Sequence, residues 1–238
     1  MQEIVLRPEV IGQIGFLPIT NTMFVSWIIV LILVAISVLA TRKVKLVPTG
    51  LQNVMEIVVE TGYSQVESLA GSSRANVFFP IVMTFFLFIF VANWVGLFPG
   101  FGTILYKDVP LLRSINSDLN MTLGLAILSA VITHAFAIKY LGLKDYLKRW
   151  VSLNPIFLFV GLLEIVSEFT KIVSLSFRLF GNIFAGEVVL STVSSIAAFI
   201  VPLPFTFLEI IVGFVQAAVF MMLTLVFMVL LTEKHEAH

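Results

Sequence analysis

Residues 22–40 read TMFVSWIIVLILVAISVLA, a stretch without a single charged side chain. A helix that crosses the hydrocarbon core of a bilayer needs roughly 20 consecutive apolar residues. This stretch has that length, and it contains no charge that would be costly to place in lipid. It therefore predicts a first transmembrane helix and indicates a membrane protein.

The composition of the whole chain supports the same class. Of the 238 residues, 59% are hydrophobic and 12% are charged, and the mean hydropathy is +1.08. Soluble domains are about 45–50% apolar and about 25% charged, so the surplus apolar surface must face lipid. Further apolar stretches cover a hairpin of two spans within residues 77–138 and two long stretches, 155–201 and 205–232. We predict an all-α, polytopic fold, a single membrane domain over residues 1–238 with about five transmembrane helices.

Charge and cysteine content exclude several classes of function. The formal net charge is +0, with 14 basic and 14 acidic residues, so nothing favours nucleic acid as a partner. The chain has no cysteine, which excludes disulfides, thiol nucleophiles and thiolate metal sites. We predict no metal and no cofactor. The opening segment, residues 1–21, lacks a basic region leading into a short apolar core, so we predict no cleavable signal peptide.

Basic residues indicate the orientation in the membrane. They follow the first and third predicted spans: Arg42, Lys43 and Lys45, then Lys139, Lys144, Lys148 and Arg149. The positive-inside rule places both loops in the cytoplasm, with segment 1–21 outside and the C-terminus inside. Two membrane crossings within 155–201 would place the C-terminus on the outer side instead. We predict one, because only Gly181 interrupts the middle of that stretch.

Residues 49–72 predict a helix of a different kind. Apolar residues recur at helical spacing on one side, while three glutamates occupy other faces. We interpret the segment as an amphipathic helix on the inner membrane surface. A small soluble cap is the alternative.

Charged and polar residues inside the last two apolar stretches point to the site. The first stretch carries Glu164, Glu168, Lys171, Arg178 and Glu187, and the second carries Glu209 and Gln216. A central Arg or Lys costs on the order of 3 kcal/mol on insertion scales. Such residues persist where they face a bundle interior or a water-filled path, so they mark a candidate ion path.

Helix geometry sorts these residues around Arg178. At about 100° per residue, Lys171 and Glu164 lie roughly 20° and 40° from Arg178 around the axis. Glu168 lies roughly 80° away, whereas Glu187 lies roughly 180° away and about 13 Å further along the helix. Acidic residues thus precede Arg178 on its own side of the helix, and acidic residues toward the outer end lie on other faces. This layout predicts two offset aqueous half-paths separated by a fixed charge.

Arginine suits the separating role because it stays protonated even when desolvated, whereas partly buried glutamates can relay protons. For Glu168 and Lys171 a structural ion pair at helical spacing is an equal alternative. No acid lies three or four residues from Arg178, so its partner must come from another element.

The run Ser176-Phe177-Arg178-Leu179-Phe180-Gly181-Asn182-Ile183-Phe184-Ala185-Gly186-Glu187 closely resembles the signature of subunit a of F-type ATP synthases. The predicted order of spans agrees along nearly the whole chain. Asn93, within FVANWVGLFPG, is similar to a polar residue that the family carries on its second span.

This resemblance implies a role for each candidate residue. Arg178 would be the stator arginine that faces a rotating ring of c subunits and blocks proton leak. The half-channel open to the outside would be lined by Glu187, Asn182, Glu209, Gln216 and Asn93. The cytoplasmic half-channel would be lined by Glu164, with help from Glu168 and Ser174.

The resemblance also implies partners and a location. They are the c ring, b-type peripheral stalk subunits, the lipid bilayer and a transported proton, or sodium, in a bacterial plasma membrane. The chain would not be an enzyme on its own. It departs from many members by carrying Glu209 where they have a histidine, and it lacks the acid that some carry near Gly96.

Two other classes fit less well. A secondary transporter predicts an internal repeat or a matched pair of broken helices, and the sequence shows neither. An intramembrane hydrolase would need a motif such as H-E-x-x-H, which is missing. His134 is the one histidine inside a predicted span, and its apolar neighbours favour a packing role.

Overall fold

The computed structural model describes residues 8–15, 17–98, 104–106, 109–150, 155–196 and 200–233. Its helices are α1 (Asn21–Thr41), α2 (Leu51–Ala70), α3 (Ser72–Gly96), α4 (Leu119–Leu141), α5 (Leu143–Trp150), α6 (Pro155–Ile196) and α7 (Pro202–Thr232). Its strands are β1 (Val10–Ile14), β2 (Leu17–Thr20), β3 (Leu105–Tyr106) and β4 (Val109–Pro110). Parts of three predicted regions lie outside the described residues: 1–7 and 16 of the outer segment, 99–103 and 107–108 of the hairpin 77–138, and 197–199 of the stretch 155–201.

Within the described residues, five helices are long and apolar enough to cross a membrane: α1, α3, α4, most of α6, and α7. The prediction of an all-α polytopic membrane protein with five spans is therefore confirmed. The stretch 155–201 contributes one continuous helix, α6, of 42 residues. At 1.5 Å per residue α6 is about 63 Å long, roughly twice the hydrocarbon thickness, so it tilts or extends beyond the lipid core.

Two short hairpins were not predicted. β1 and β2 pair antiparallel, as do β3 and β4. Gly15 lies in the first turn at φ 64°, a conformation that favours glycine. Thr20, at the end of β2, caps α1 by accepting a hydrogen bond from the Met23 N–H at 3.3 Å.

The core lies where α3 and α7 pack together, with α2, α4 and α6 against them. One buried cluster joins Phe78 and Val82 of α3 to Leu225 and Met228 of α7. A second buried cluster is shared by α3, α4, α6 and α7: Phe85, Ile89, Ala126, Leu175, Leu179, Ala217 and Phe220. The two clusters hold α6 and α7 side by side, which positions the polar residues of both helices.

The helix predicted over 49–72 is present as α2. Its inner side packs through the fully buried Val66, while Leu51, Val54 and Ile57 are exposed. Gly71, at φ 74°, allows the turn from α2 into α3. The exposed apolar side chains suit the predicted position on the membrane surface, which stays a prediction.

Candidate functional site

Arg178 lies on an exposed face of α6. Ser174 and Phe177 are exposed beside it, whereas Leu175 and Leu179 on the other side are buried. Among the described residues, no side chain forms an ion pair or hydrogen bond with the Arg178 guanidinium. A fixed cation is thus presented on a membrane helix without a partner within this part of the chain.

One turn further along α6, Asn182 meets α7. Its side-chain amide donates to Gln216 Oε1 at 2.8 Å. Gln216 is buried, and its own Nε2 has no hydrogen-bond partner among the described residues. Asn182 and Gln216, both expected to line the outer half-channel, are therefore in contact, and the pair keeps a buried donor that can hold a water.

Glu209 packs directly against the backbone of α6. A Cβ atom added at Gly186 would overlap the Glu209 carboxylate. Glu209 is 9% exposed, so this carboxylate lies inside the helix bundle. Glycine at position 186 is required because any side chain there would occupy the place of the carboxylate.

Glu187 points to another element, the loop that precedes α4. Its carboxylate interacts with the charge of Arg113 and with the hydroxyls of Ser117 and Ser114. Ser114 Oγ makes no hydrogen bond of good geometry within the described residues, so its contact with Glu187 is a loose one. Glu187 and Glu209 thus have different neighbours, although the two carboxylates are close enough to interact electrostatically.

Asn93 links α3 to α7 and to the same loop. Its Nδ2 donates to the carbonyl of Gly213 at 2.8 Å, and its Oδ1 accepts from Asn116 Nδ2 at 2.6 Å. A Cβ atom at Gly213 would lie 3.0 Å from Asn93 Cβ, so glycine allows this close approach. Asn116 Oδ1 has no partner among the described residues, which leaves a second buried polar atom in this region.

The sequence analysis did not identify the loop residues as part of the site. Residues 114–118 are consecutively buried: Ser114, Ile115, Asn116, Ser117 and Asp118. Asp118 caps α4 and accepts a hydrogen bond from Thr22 Oγ1 at 2.9 Å, which ties the loop to α1. A Cβ at Gly96 would lie 2.9 Å from Ser114 Oγ, so this loop fills the space beside Gly96. The run of small polar residues before a span was the available signal.

The other end of α6 holds an ion pair. Lys171 Nζ donates to Glu168 Oε1 at 2.6 Å. His134 Nε2 lies 3.8 Å from the second oxygen of Glu168. Glu164 is half-buried one turn away, whereas Ser174 lies apart from this cluster on the exposed face. The packing role predicted for His134 is incomplete, because its ring faces a carboxylate.

The arrangement does not resemble a metal centre. Within the described residues, no group of three or more His, Asp or Glu side chains could hold a metal ion. The polar atoms instead form two clusters along α6, on either side of the exposed arginine.

Comparison with known proteins decides the family. The family model described as ATP synthase A chain matches residues 23–229. The chain is 33% identical to ATP synthase subunit a of Moorella thermoacetica over 230 residues, covering 97% of this chain and 99% of that protein. It is 37% identical to ATP synthase subunit a 1 of Hahella chejuensis over 215 residues, covering 90% and 85% of the two chains. This chain belongs to the ATP synthase subunit a family.

Membership covers both clusters and the arginine. The match over residues 23–229 includes all five candidate spans apart from a few terminal residues of α1 and α7. ATP synthase subunit a of Geotalea uraniireducens, at 35% identity, likewise covers 93% of this chain. The resemblance read from residues 176–187 is therefore confirmed at the level of the family.

Proposed function

We propose that this chain is the proton-translocating stator subunit of a bacterial F-type ATP synthase, with no catalytic chemistry of its own. The observation that carries the proposal is Arg178, a cation without a partner among the described residues, on an exposed helix face between two polar clusters. A cation that costs about 3 kcal/mol to insert persists where another chain supplies the opposing charge. A carboxylate on a rotating ring of c subunits would supply it.

The outer half-channel is proposed along the polar cluster of α6, α7 and the loop before α4. Glu209 and Glu187 would carry protons, and Asn182, Gln216 and Asn93 would hold the water between them. The buried Gln216 Nε2 and Asn116 Oδ1 support this proposal, because neither has a partner among the described residues. Buried polar atoms in this state are commonly satisfied by ordered water.

The inner half-channel is proposed along the opposite end of α6. Glu164, Glu168 and Ser174 lie on that end, 14, 10 and 4 positions before Arg178 in the sequence. The ion pair of Glu168 and Lys171 supports a modified role for Glu168. We propose that it acts as a fixed charge at the mouth of the path, while Glu164 carries protons.

The mechanism follows from the offset of the two paths. A proton entering through the outer path neutralises a ring carboxylate, which can then turn through lipid without the cost of a buried charge. After nearly a full turn the carboxyl group reaches the inner path and loses its proton. The anion is then attracted to Arg178, which cannot itself relay a proton. Each charge crossing is worth roughly 2.3 kcal/mol per 100 mV.

The proposal includes orientation and assembly. The basic residues after α1 and α4 favour the cytoplasm for both loops, with the N-terminus outside and the C-terminus inside. The five spans and the bacterial relatives support a multi-pass protein of the plasma membrane. The ring of c subunits and b-type stalk subunits would be its protein partners.

Replacing Arg178 by Ala in the complete ATP synthase tests the proposal. We expect ATP-driven proton pumping to be lost and passive proton leak through the membrane sector to rise, with normal assembly. Arg42→Ala, which removes an exposed arginine after α1, is the control and should pump normally. Intact pumping in the Arg178→Ala complex would overturn the proposal.

A further inference from the structure

Four polar or charged side chains meet where α4, α5 and α6 come together. They are His134 of α4, Tyr146 of α5, and Glu168 and Lys171 of α6. The proton steps proposed above use neither His134 nor Tyr146. Their arrangement nevertheless connects the acid on α6 to the short helix α5.

The two ring nitrogens of His134 face different elements. Nδ1 lies 3.1 Å from the Tyr146 hydroxyl, a hydrogen bond in which either atom can be the donor. Nε2 lies 3.8 Å from Glu168 Oε2, while the other Glu168 oxygen is held by Lys171 at 2.6 Å. An imidazole placed in this way can take up a proton at one nitrogen and release a proton from the other.

The cluster is partly exposed at the surface of this chain. The side chains of His134 and Glu168 are 25% and 14% exposed, and that of Lys171 is 27% exposed. His134 lies seven positions before the end of α4 at Leu141, about 10 Å inside the helix end. The imidazole therefore lies between the end of the helix and the deeper part of the bundle.

A small cavity extends from this ion pair into the bundle. Its volume is about 20 Å³, which is room for about one water molecule. The cavity reaches Leu175, less than one turn before Arg178. The polar and charged side chains that line it come from α4 and α6: Ser129, Thr133, Glu168 and Lys171. The cavity and the His134 imidazole thus both contact the ion pair of Glu168 and Lys171.

We propose that His134 is a proton-relay residue at the cytoplasmic mouth of the inner half-channel, with Tyr146 as its positioning residue. This inference rests on the proposed function. A proton arriving on water from the channel side forms an N–H bond at Nε2. The Nδ1–H bond then breaks, and its proton passes to water beside Tyr146. A half-turn of the imidazole about its Cβ–Cγ bond restores the starting tautomer, and the reverse order serves ATP-driven pumping.

The surrounding groups favour this role. Within the described residues, the charged and titratable groups that face His134 include Tyr146 from α5 and Glu168 from α6, with Lys171 behind Glu168. From α7, Phe227 lies under Lys171, with the Lys171 Nζ 4.6 Å from the ring centroid. Glu168 is held by Lys171, so it attracts the imidazolium that forms during transfer without carrying the proton itself.

The test compares His134→Gln with wild type in the complete ATP synthase. The amide of Gln can still donate toward Glu168, but it cannot titrate. ATP-driven pumping is measured in inside-out vesicles, with the medium varied from about pH 5.5 to about pH 8.5, the range around imidazole titration. We expect the variant to pump about tenfold more slowly, less than a positioned general base contributes because water can replace a relay. We also expect its rate relative to wild type to change with pH.

A purely structural histidine gives a different result. Pumping would then fall by the same factor at every pH, or not at all, and either result would overturn the relay. The pair Tyr146→Phe and Tyr140→Phe provides the matched control, since Tyr140 packs on Phe78 and Phe136 away from the cluster. We expect a pH-dependent change only in Tyr146→Phe, and this pair decides the inference if His134→Gln does not assemble. Failure of the relay with Arg178→Ala still uncoupled would leave the proposed function intact.

Discussion

The two polar clusters along α6 differ in how their charges are held. In the outer cluster, Glu209 is buried against glycine, and the neighbouring amides of Gln216 and Asn116 have atoms without hydrogen-bond partners among the described residues. In the inner cluster, Glu168 is held by Lys171 and faces His134, and all three side chains are partly exposed. Glu209 is thus fixed by tight packing, whereas Glu168 is fixed by an ion pair.

This difference indicates how each cluster responds to mutation. A carboxylate that fits only because glycine leaves room is sensitive to the size of its neighbour. A carboxylate in a partly exposed ion pair is sensitive to charge, and it tolerates changes in volume. The three predictions below use size, hydrogen bonding and charge in turn.

The largest effect is expected from Gly186→Ala. The new Cβ would overlap the Glu209 carboxylate, so Glu209 must leave its position or α6 and α7 must separate. Overpacking of this kind costs typically about 1–3 kcal/mol, and we expect proton pumping by the complete complex to be nearly lost. The measurement is ATP-driven pumping at equal amounts of assembled complex.

Gly124→Ala is the matched control for this change. A Cβ at Gly124, on α4, meets no atom within 4 Å. It should assemble and pump as wild type does. Equal pumping by the two alanine variants would show that the contact between Gly186 and Glu209 does not matter for the outer path.

A smaller effect is expected from Asn93→Ala. This change leaves the Gly213 carbonyl and the Asn116 amide without the partner that each has now. A buried polar group left unsatisfied costs about 1–3 kcal/mol. We expect a lower temperature of half-inactivation of pumping and a partial loss of rate, because water in the outer path can replace part of the amide. Asn53→Ala, at an exposed position of α2, is the control and should change neither the temperature of half-inactivation nor the pumping rate. An equal fall of these quantities in both variants would contradict the role of Asn93.

The sequence predicted the membrane class and the five spans because both depend on local composition. Residues 22–40 are apolar throughout, and the length of such a run is set by the bilayer. Arg178 was also predictable, since a charge within an apolar helix stands out and the residues around it resemble a known family. The resemblance placed Asn182 and Gln216 in the same expected half-channel, but it did not predict the hydrogen bond between them.

The buried loop before α4 and the partner of His134 could not be predicted in the same way. Asn116 is buried because it bonds to Asn93, which lies 23 positions earlier. His134 faces Glu168 across two helices, 34 positions apart in the sequence. Helical spacing compares residues on one helix, so it does not indicate which faces of two helices meet. The apolar neighbours of His134 therefore suggested packing alone.

The smallest effect is expected from Lys171→Ala. It removes the charge that lies 2.6 Å from Glu168 Oε1 and leaves His134 Nε2 at 3.8 Å from the other oxygen. Exposed ion pairs contribute roughly 0–1 kcal/mol, and this pair is partly exposed, so we expect a fall in thermal stability of about 1 kcal/mol or less. The stability of the complex should be compared at low and high salt. The loss should be larger at low salt, where the wild-type pair is least screened.

Glu168→Gln in the Lys171→Ala background completes the comparison of the two clusters. If Lys171 acts by neutralising Glu168, removing both charges should restore much of the stability that the single change loses. No such rescue is expected in the outer cluster, because replacing Glu209 by Gln would leave a side chain of the same size against the new Cβ of Gly186→Ala. If the second substitution restored the lost stability in both clusters, or in neither, the inner cluster would not depend on charge and the outer one on packing as described.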